Sequence, residues 1–250
     1  MSIDFDNFVN EALAQGFSGW DFSYLNGRWQ EDAPSWDYRQ CVIDHIGRAT
    51  ALLDMGTGGG EFLACLPERP AFTCATENFP ANIAVAKSRL EPLGIEVLTL
   101  TDDQDLPFRD NTFDLIINRH ETFSASELYR VLKRGGFFLT QQVGGSDNIE
   151  LNHKLFVSNN TAFESWSLHR GVHLLKSAGF EITRQLEEYP LTVFKDIGAI
   201  IYYLKAIPWQ IPDFDVHTYQ ERLFTLHEQI SQSGRLSIKS HRFYIECFKK

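Results

Sequence analysis

The sequence predicts an α/β fold, a doubly wound and mostly parallel sheet with helices on both faces, and three observations predict it. Between Thr50 and Gln142 short apolar runs alternate with longer helical patterns. The apolar runs are nearly continuous rather than alternating, as strands covered on both faces require. A glycine-dense turn joins the first run to the helix after it, which is where open α/β sheets hold their ligands.

The expected strands are Thr50–Met55, Ala71–Thr76, Val97–Thr101, Phe113–Asn118 and Phe137–Gln142. Helical character falls between them at Glu61–Leu66, Ala81–Leu93 and Ser124–Leu132. The last of these runs into Lys133-Arg134-Gly135-Gly136, where cations and glycines suit a helix C-terminus. Strand, helix and strand repeated in this way build a parallel sheet through right-handed crossovers. Further on, Leu168–Ala178 reads as a helix, and Phe180–Leu186 and His241–Phe248 as strands. Before the core lies a segment with Trp20, Tyr24, Trp29, Trp36 and Tyr38, partly helical in pattern. The stretch between the last two strands holds the apolar run Ile197–Ala206 and the helical pattern Tyr219–Ile230, too much for a hairpin loop. The expectation is therefore one domain over residues 1–250: an N-terminal helical and aromatic cap (1–48), a ligand-binding core (49–189), an inserted lid (190–240) and a final strand (241–250).

Bulk properties narrow the class. Of 250 residues, 43% are hydrophobic and 22% charged, enough apolar material for a sizeable core. Thirty-three acidic against 23 basic residues leave a net charge of −10. That charge opposes the counterion release on which nucleic-acid binding depends, so a polyanionic partner is disfavoured. No secretory leader pattern opens the sequence and no apolar run nears the roughly 20 residues of a bilayer span, so a cytoplasmic protein without a membrane span is expected. Cys41, Cys65, Cys74 and Cys247 are scattered, a spacing that suggests reduced thiols and neither a zinc site nor a disulfide framework.

The informative turn is Asp54-Met55-Gly56-Thr57-Gly58-Gly59-Gly60-Glu61. Glycines permit positive φ and close approach of a ligand to the backbone, and a helix start offers free N–H groups. A dinucleotide fingerprint needs Gly-x-Gly-x-x-Gly. Glu61 occupies the third glycine position, which argues against a nicotinamide cofactor. No Gly-Lys-Ser/Thr follows, so the phosphate-loop pattern is absent as well.

What stands there, Asp54-x-Gly56-x-Gly58-x-Gly60, resembles the first motif of the class I S-adenosylmethionine-dependent methyltransferases. The likeness is nearest to the ubiquinone- and menaquinone-biosynthesis type, the methyltransferase type 11 group. Four further matches follow in order: Glu77 after the second strand; Thr101-Asp102-Asp103-Gln104-Asp105-Leu106-Pro107-Phe108 after the third; Phe113 to His120 as the fourth strand and its end; and Leu128-Tyr129-Arg130-Val131-Leu132-Lys133-Arg134-Gly135-Gly136 before the fifth. The family more often has proline where Arg134 stands. The resemblance implies a Rossmann-like three-layer α/β/α sandwich with a seven-stranded sheet, its last strand antiparallel, flanked by an N-terminal helical segment and a C-terminal lid insertion. It also implies S-adenosyl-L-methionine as cofactor and S-adenosyl-L-homocysteine as product.

Residue by residue, the resemblance assigns Asp54, Gly56, Thr57 and Gly58 to the loop beside the methionyl group, and Glu77 with Asn78 to the ribose. Asp102, or its neighbour Asp103, is assigned to the adenine amino group, and Asn118 to the strand end facing the methyl donor. Tyr38, in Trp36-Asp37-Tyr38, is a candidate to close over the sulfonium through an aromatic face. Methyl transfer is an in-line displacement that needs alignment and at most a general base. His120 is the best-placed base, with a hydrogen-bonded structural histidine as its competing reading. His169 and His173 lie four apart but lack a third ligand in the sequence pattern, so no metal is expected. The expected acceptor is a small molecule; an RNA or protein acceptor, or non-catalytic binding of the cofactor, are the alternatives.

Overall fold

The computed structural model describes residues 3–17, 22–102, 104–158 and 163–250. Trp20 and Asp103 therefore lie outside the described residues. In chain order the elements are α1 (Ile3–Ala14), β1 (Trp29–Glu31), α2 (Tyr38–Ile46), β2 (Ala51–Met55), α3 (Glu61–Ala64), β3 (Phe72–Glu77), α4 (Pro80–Leu90), β4 (Glu96–Thr99), β5 (Phe113–Arg119), α5 (Ala125–Val131), β6 (Leu132–Val143), α6 (Ile149–Lys154), α7 (Leu168–Ser177), β7 (Phe180–Glu188), β8 (Leu191–Phe194), α8 (Ile197–Ala206), α9 (Gln220–Ser233), β9 (Leu236–Lys239) and β10 (Arg242–Lys249).

They gather into two compact units. The larger comprises residues 35–143, 166–187 and 242–250, and the smaller residues 1–34, 144–165 and 188–241. The larger holds a seven-stranded sheet in the order β4-β3-β2-β5-β6-β10-β7. Strands β2 to β6 pair in parallel, and β10 runs antiparallel to β6, with Tyr244 opposite Gln141. Successive side chains leave opposite faces of a strand. Accordingly Leu52 joins one buried cluster, with Ala75, Leu115 and Tyr244, while Leu53 and Met55 join another with Cys74, Ile116 and Phe243. Both faces are covered, which is why the strand residues read as unbroken apolar runs.

One expectation is corrected at β6. The lysine, arginine and glycines after α5 do not make a separate helix-ending turn. The helix stops at Val131, and β6 already begins at Leu132, opposite Phe113. The register shifts between Phe113 and Leu115, and Gly135 takes φ 74°, so the glycines form an irregularity inside a long strand. A Cβ on Gly136 would come within 2.9 Å of the Lys133 carbonyl and 3.0 Å of that of Asp114.

The smaller unit draws the N-terminal segment and the stretch expected to be a lid into one core, and it also takes in residues 144–165. Its sheet, β1-β8-β9, is antiparallel throughout. Helix α8 is buried along almost its whole length, as an all-round apolar helix must be. Asp196 caps it, accepting from the Ala199 N–H at 2.8 Å, and the same carboxylate takes two bonds from Arg28, at 2.6 and 2.8 Å. Tyr24 covers that guanidinium from 4.3 Å. Helix α2, within the expected N-terminal cap, belongs to the larger unit instead.

Candidate cofactor site

Strand register brings the sequence-predicted residues to one edge. Met55 lies opposite Thr76 and Asn118, and Glu77 opposite Thr99, so the glycine turn, Glu77, the Asp102 loop and the end of β5 all stand at the carboxyl ends of neighbouring strands. The strand order reverses between β2 and β5, and such a switch point is where an open sheet leaves room for a ligand.

The turn is held from below and from one side. Thr57 donates its backbone N–H to the Thr76 carbonyl at 2.9 Å and its hydroxyl to Asp54 at 2.7 Å. Gly56, Gly58 and Gly60 all take φ values between 63° and 81°, which side chains with a Cβ rarely adopt. Glu77 ties the turn to β3: one oxygen accepts from the Gly58 N–H at 2.6 Å, and the other from the N–H groups of Asn78 and Phe79 at 3.0 and 2.8 Å. Glu61 is exposed at the start of the four-residue α3 and pairs with Arg89.

Burial governs the charges here. Asp54 is pushed up to about 7, chiefly by loss of solvent and further by the negative charge of Glu77, against the Thr57 hydroxyl and Arg119. Glu77 is raised too, again by desolvation first, although its three backbone donors oppose the shift. Asn82, wholly buried, forms no well-made hydrogen bond through its side-chain amide, yet lies near enough to Glu77 to favour the ionised form.

Tyr38 and Asn118 are brought together more tightly than the sequence suggests. The Tyr38 hydroxyl donates to the Asn118 carbonyl at 3.0 Å and accepts from its N–H at 3.1 Å. Burial holds this phenol well above its usual range, so it stays protonated. The Asn118 side chain is engaged inward, its oxygen accepting from Thr140 at 3.0 Å and Gln142 at 2.7 Å. Asn118 therefore shapes the end of β5 through the core. Asp102 is exposed and accepts from the Gln104 N–H at 2.9 Å, while Asn78 is exposed beside Glu77. The loop after Asp102 is fastened by a pair that sequence reasoning missed. Glu127 accepts from the Leu106 N–H at 2.8 Å, and Arg130 donates to the carbonyls of Leu106 and Phe108 at 2.9 and 2.7 Å. Their three-residue spacing on α5 was legible, but the loop they hold was not.

His120 follows β5 with φ 66°. Its tautomer follows from a relay. The Trp36 indole N–H can only donate, and it donates to the Gln141 amide oxygen at 2.9 Å. That fixes the amide, so the Gln141 NH₂ group faces His120 Nε2 at 3.1 Å and must be the donor. His120 then carries its proton on Nδ1 and is neutral. Desolvation, then the cations Arg242 and Arg119, hold it well below the ordinary histidine value, although the residue keeps accessible surface. An imidazole so placed is a hydrogen-bonding group and a weak base. Its NMR ring signals are expected not to titrate between about pH 6 and 8; a midpoint near the ordinary value would refute the neutral tautomer.

Among the described residues no three His, Cys, Asp or Glu side chains converge as a metal site, and no helix is long and apolar enough to cross a membrane. His169 and His173 are exposed on α7. Cys41, Cys74 and Cys247 are buried, Cys65 is exposed, and all four are free thiols.

Comparison with known proteins agrees with this architecture. The family model described as a methyltransferase domain matches residues 53–140, which span the glycine turn to β6. A malonyl-acyl-carrier-protein O-methyltransferase of Marinomonas is 27% identical over 141 residues, 50% of this chain and 52% of that one. A protein of Mycobacterium ulcerans named as a phthiotriol/phenolphthiotriol dimycocerosates methyltransferase is 26% identical over 151 residues, 50% of this chain and 58% of its own. The chain thus spans little more than half the length of these relatives. Among solved structures, a Bacillus halodurans protein named as a methyltransferase superposes with a TM-score of 0.61 at 18% identity, covering 85% of this chain and 98% of that one. The 4+2 cyclase SpnF superposes with a TM-score of 0.55 at 16% identity, covering 98% and 92%. Sheet order, the antiparallel β10 and the matched segment together resemble the class I S-adenosylmethionine-dependent methyltransferases.

Proposed function

We propose that the chain binds S-adenosylmethionine at the carboxyl ends of β2, β3 and β4 and transfers its methyl group to a small-molecule acceptor in the cytoplasm. The observation that carries this reading is the glycine turn clasped by Glu77, with Asp54 and Thr57 beneath it. An ionised carboxylate offers about four lone-pair sites. Glu77 uses three for backbone N–H groups, which leaves acceptor capacity for one ribose hydroxyl. Gly56 and Gly58, both in left-handed backbone, form the turn assigned to the methionyl group. Asp102 or Asp103 accepts from the adenine amino group, and Asn78 flanks the ribose. Tyr38 and Asn118 fix the end of β5 against α2 and β6.

When bound, the cofactor supplies an electrophilic methyl on a sulfonium and leaves as S-adenosylhomocysteine. This chain's part is mainly alignment and exclusion of water. His120 can accept a hydrogen bond from an acceptor only by displacing Gln141, so it orients more readily than it deprotonates. The net charge of −10 favours an acceptor that is not a polyanion. The fold alone does not decide the reaction, since a cyclase shares it.

Isothermal titration with S-adenosylmethionine, S-adenosylhomocysteine and NAD tests the proposal on the wild type and Glu77→Ala. Both adenosyl ligands are expected to bind, NAD not, and the substitution to weaken binding about 10- to 100-fold through loss of charge-assisted hydrogen bonds. Absence of adenosyl binding would overturn the reading, and binding of NAD alone would replace it with an oxidoreductase.

A further inference from the structure

We propose that Glu121 is the residue by which this site tells the methyl-bearing sulfonium from the spent thioether; the inference rests on the cofactor reading above and names a determinant of its specificity. The left-handed backbone at His120 turns the chain sharply as it leaves β5. The next side chain comes to lie on Gly56. A Cβ built on that glycine would fall 2.5 Å from both Cβ and Cγ of Glu121 and 2.8 Å from Oε2. Only a residue without a side chain, and one at ease with φ 64°, leaves the carboxylate this place.

The carboxylate is held there and oriented. The Glu121 carbonyl accepts from the Gln142 amide at 2.9 Å. Its Oε1 accepts from the Thr122 N–H at 2.9 Å and the Thr122 hydroxyl at 3.1 Å. With Oε1 occupied in this way, Oε2 is the oxygen lying against Gly56, on the turn assigned to the methionyl group.

A sulfonium is a permanent cation with no N–H or O–H to donate, so a site recognises it by field rather than by hydrogen bonding. A fixed carboxylate oxygen at the glycine turn supplies that field. In the transfer the methyl carbon bonds to the acceptor atom while the carbon–sulfur bond breaks. Its electron pair stays on sulfur, and any proton on the acceptor atom passes to solvent. The sulfur is then neutral and the attraction to Glu121 is gone. A group that binds the charged ground state at least as well as the transition state does not speed the chemical step. Glu121 therefore acts in selecting the methyl donor and in letting the product go.

Isothermal titration of the full chain with S-adenosylmethionine and S-adenosylhomocysteine, for the wild type, Glu121→Gln and Glu121→Asp, tests this, with thermal melts confirming that each variant folds. Glu121→Gln is expected to weaken S-adenosylmethionine about tenfold while changing S-adenosylhomocysteine less than about twofold, so that the preference between them collapses. Glu121→Asp, which keeps the charge, is expected to restore part of that preference. Equal weakening of both ligands would put Glu121 on a part they share and overturn the inference, as would an unchanged ratio in Glu121→Gln. Failure of the wild type to bind either ligand would instead remove the cofactor reading, and this inference with it.

Discussion

Replacing Asp54 with asparagine is expected to abolish a loss of stability that the wild type suffers as pH rises from about 4 to 8. The Asp54 carboxyl stands at about 7 in the folded protein, against 3.8 for the ordinary group. Between those values the folded state binds a proton that the unfolded state does not. The contribution is therefore fully present below the unfolded value and is lost as pH climbs through the folded one. A shift of this size amounts to about 4 kcal/mol in all. Roughly 3 kcal/mol of it falls between pH 5 and 8, or some 6–12 °C in Tm for a chain of this length. Asparagine keeps an acceptor for the Thr57 hydroxyl and never ionises. Melting curves of both proteins at pH 5, 6, 7 and 8 should converge at the acid end and separate at the alkaline end, with the variant more stable. Parallel curves would refute the buried, raised carboxyl. Other groups shift the wild-type curve, Glu246 and Glu127 in the opposite sense, but they act on both proteins alike. Under the proposed function the same proton has a second consequence. A cationic methionyl group favours ionised Asp54, so affinity for S-adenosylmethionine should rise between pH 6 and 8 in the wild type and stay flat in Asp54→Asn.

Lys249→Met is expected to destabilise the larger unit by about 3 kcal/mol, because it leaves buried acceptors unpaired. Lys249 Nζ donates to the carbonyls of Tyr129 and Leu132 at 2.6 and 2.8 Å, and to the Asn111 side chain at 2.9 Å. It also lies 4.6 Å from the centre of the Tyr129 ring. One ammonium thereby joins the end of β10 to the C-terminus of α5, the start of β6 and the turn before β5. Methionine matches the stem and removes the charge, so the loss isolates the hydrogen bonds from the packing. Urea unfolding checks it; a change in midpoint equivalent to less than about 1 kcal/mol would mean that water satisfies those carbonyls as well as the lysine does.

The site was legible in the sequence to the extent that it is local. Asp54, Thr57 and the glycines are consecutive or nearly so, and a strand-turn-helix unit needs only neighbouring residues to specify it. Glu77 was identified by its place after the second strand; its three backbone donors, which make it a clasp rather than a solvated cap, follow from the fold. For Asn118 the reverse holds. Its position at the end of β5 was correctly placed, but its side chain is taken up by Thr140 and Gln142, and that network depends on β5 and β6 being neighbours. His120 was the sequence's choice for a base, whereas the Trp36–Gln141–His120 relay brings a residue of the N-terminal segment to bear on its proton. Glu121 went unnoticed because nothing in its local spacing connects it to Gly56.

The sequence by itself determined the doubly wound sheet, the position of the glycine turn and the helical segments near α7 and α9. Hydrophobic period and turn chemistry act over a few residues and are written in the order of the chain. Only the tertiary structure decided that residues 1–34, 144–165 and 188–241 form a second compact unit with its own three-stranded sheet, where the sequence reads as a cap and a lid. Strands β1, β8 and β9 are three or four residues long and carry little pattern of their own. They exist because pairing between segments distant in the chain, more than 150 positions apart for β1 with β8, satisfies their backbone groups, and a helix as apolar as α8 had to be covered by whatever the fold brought against it.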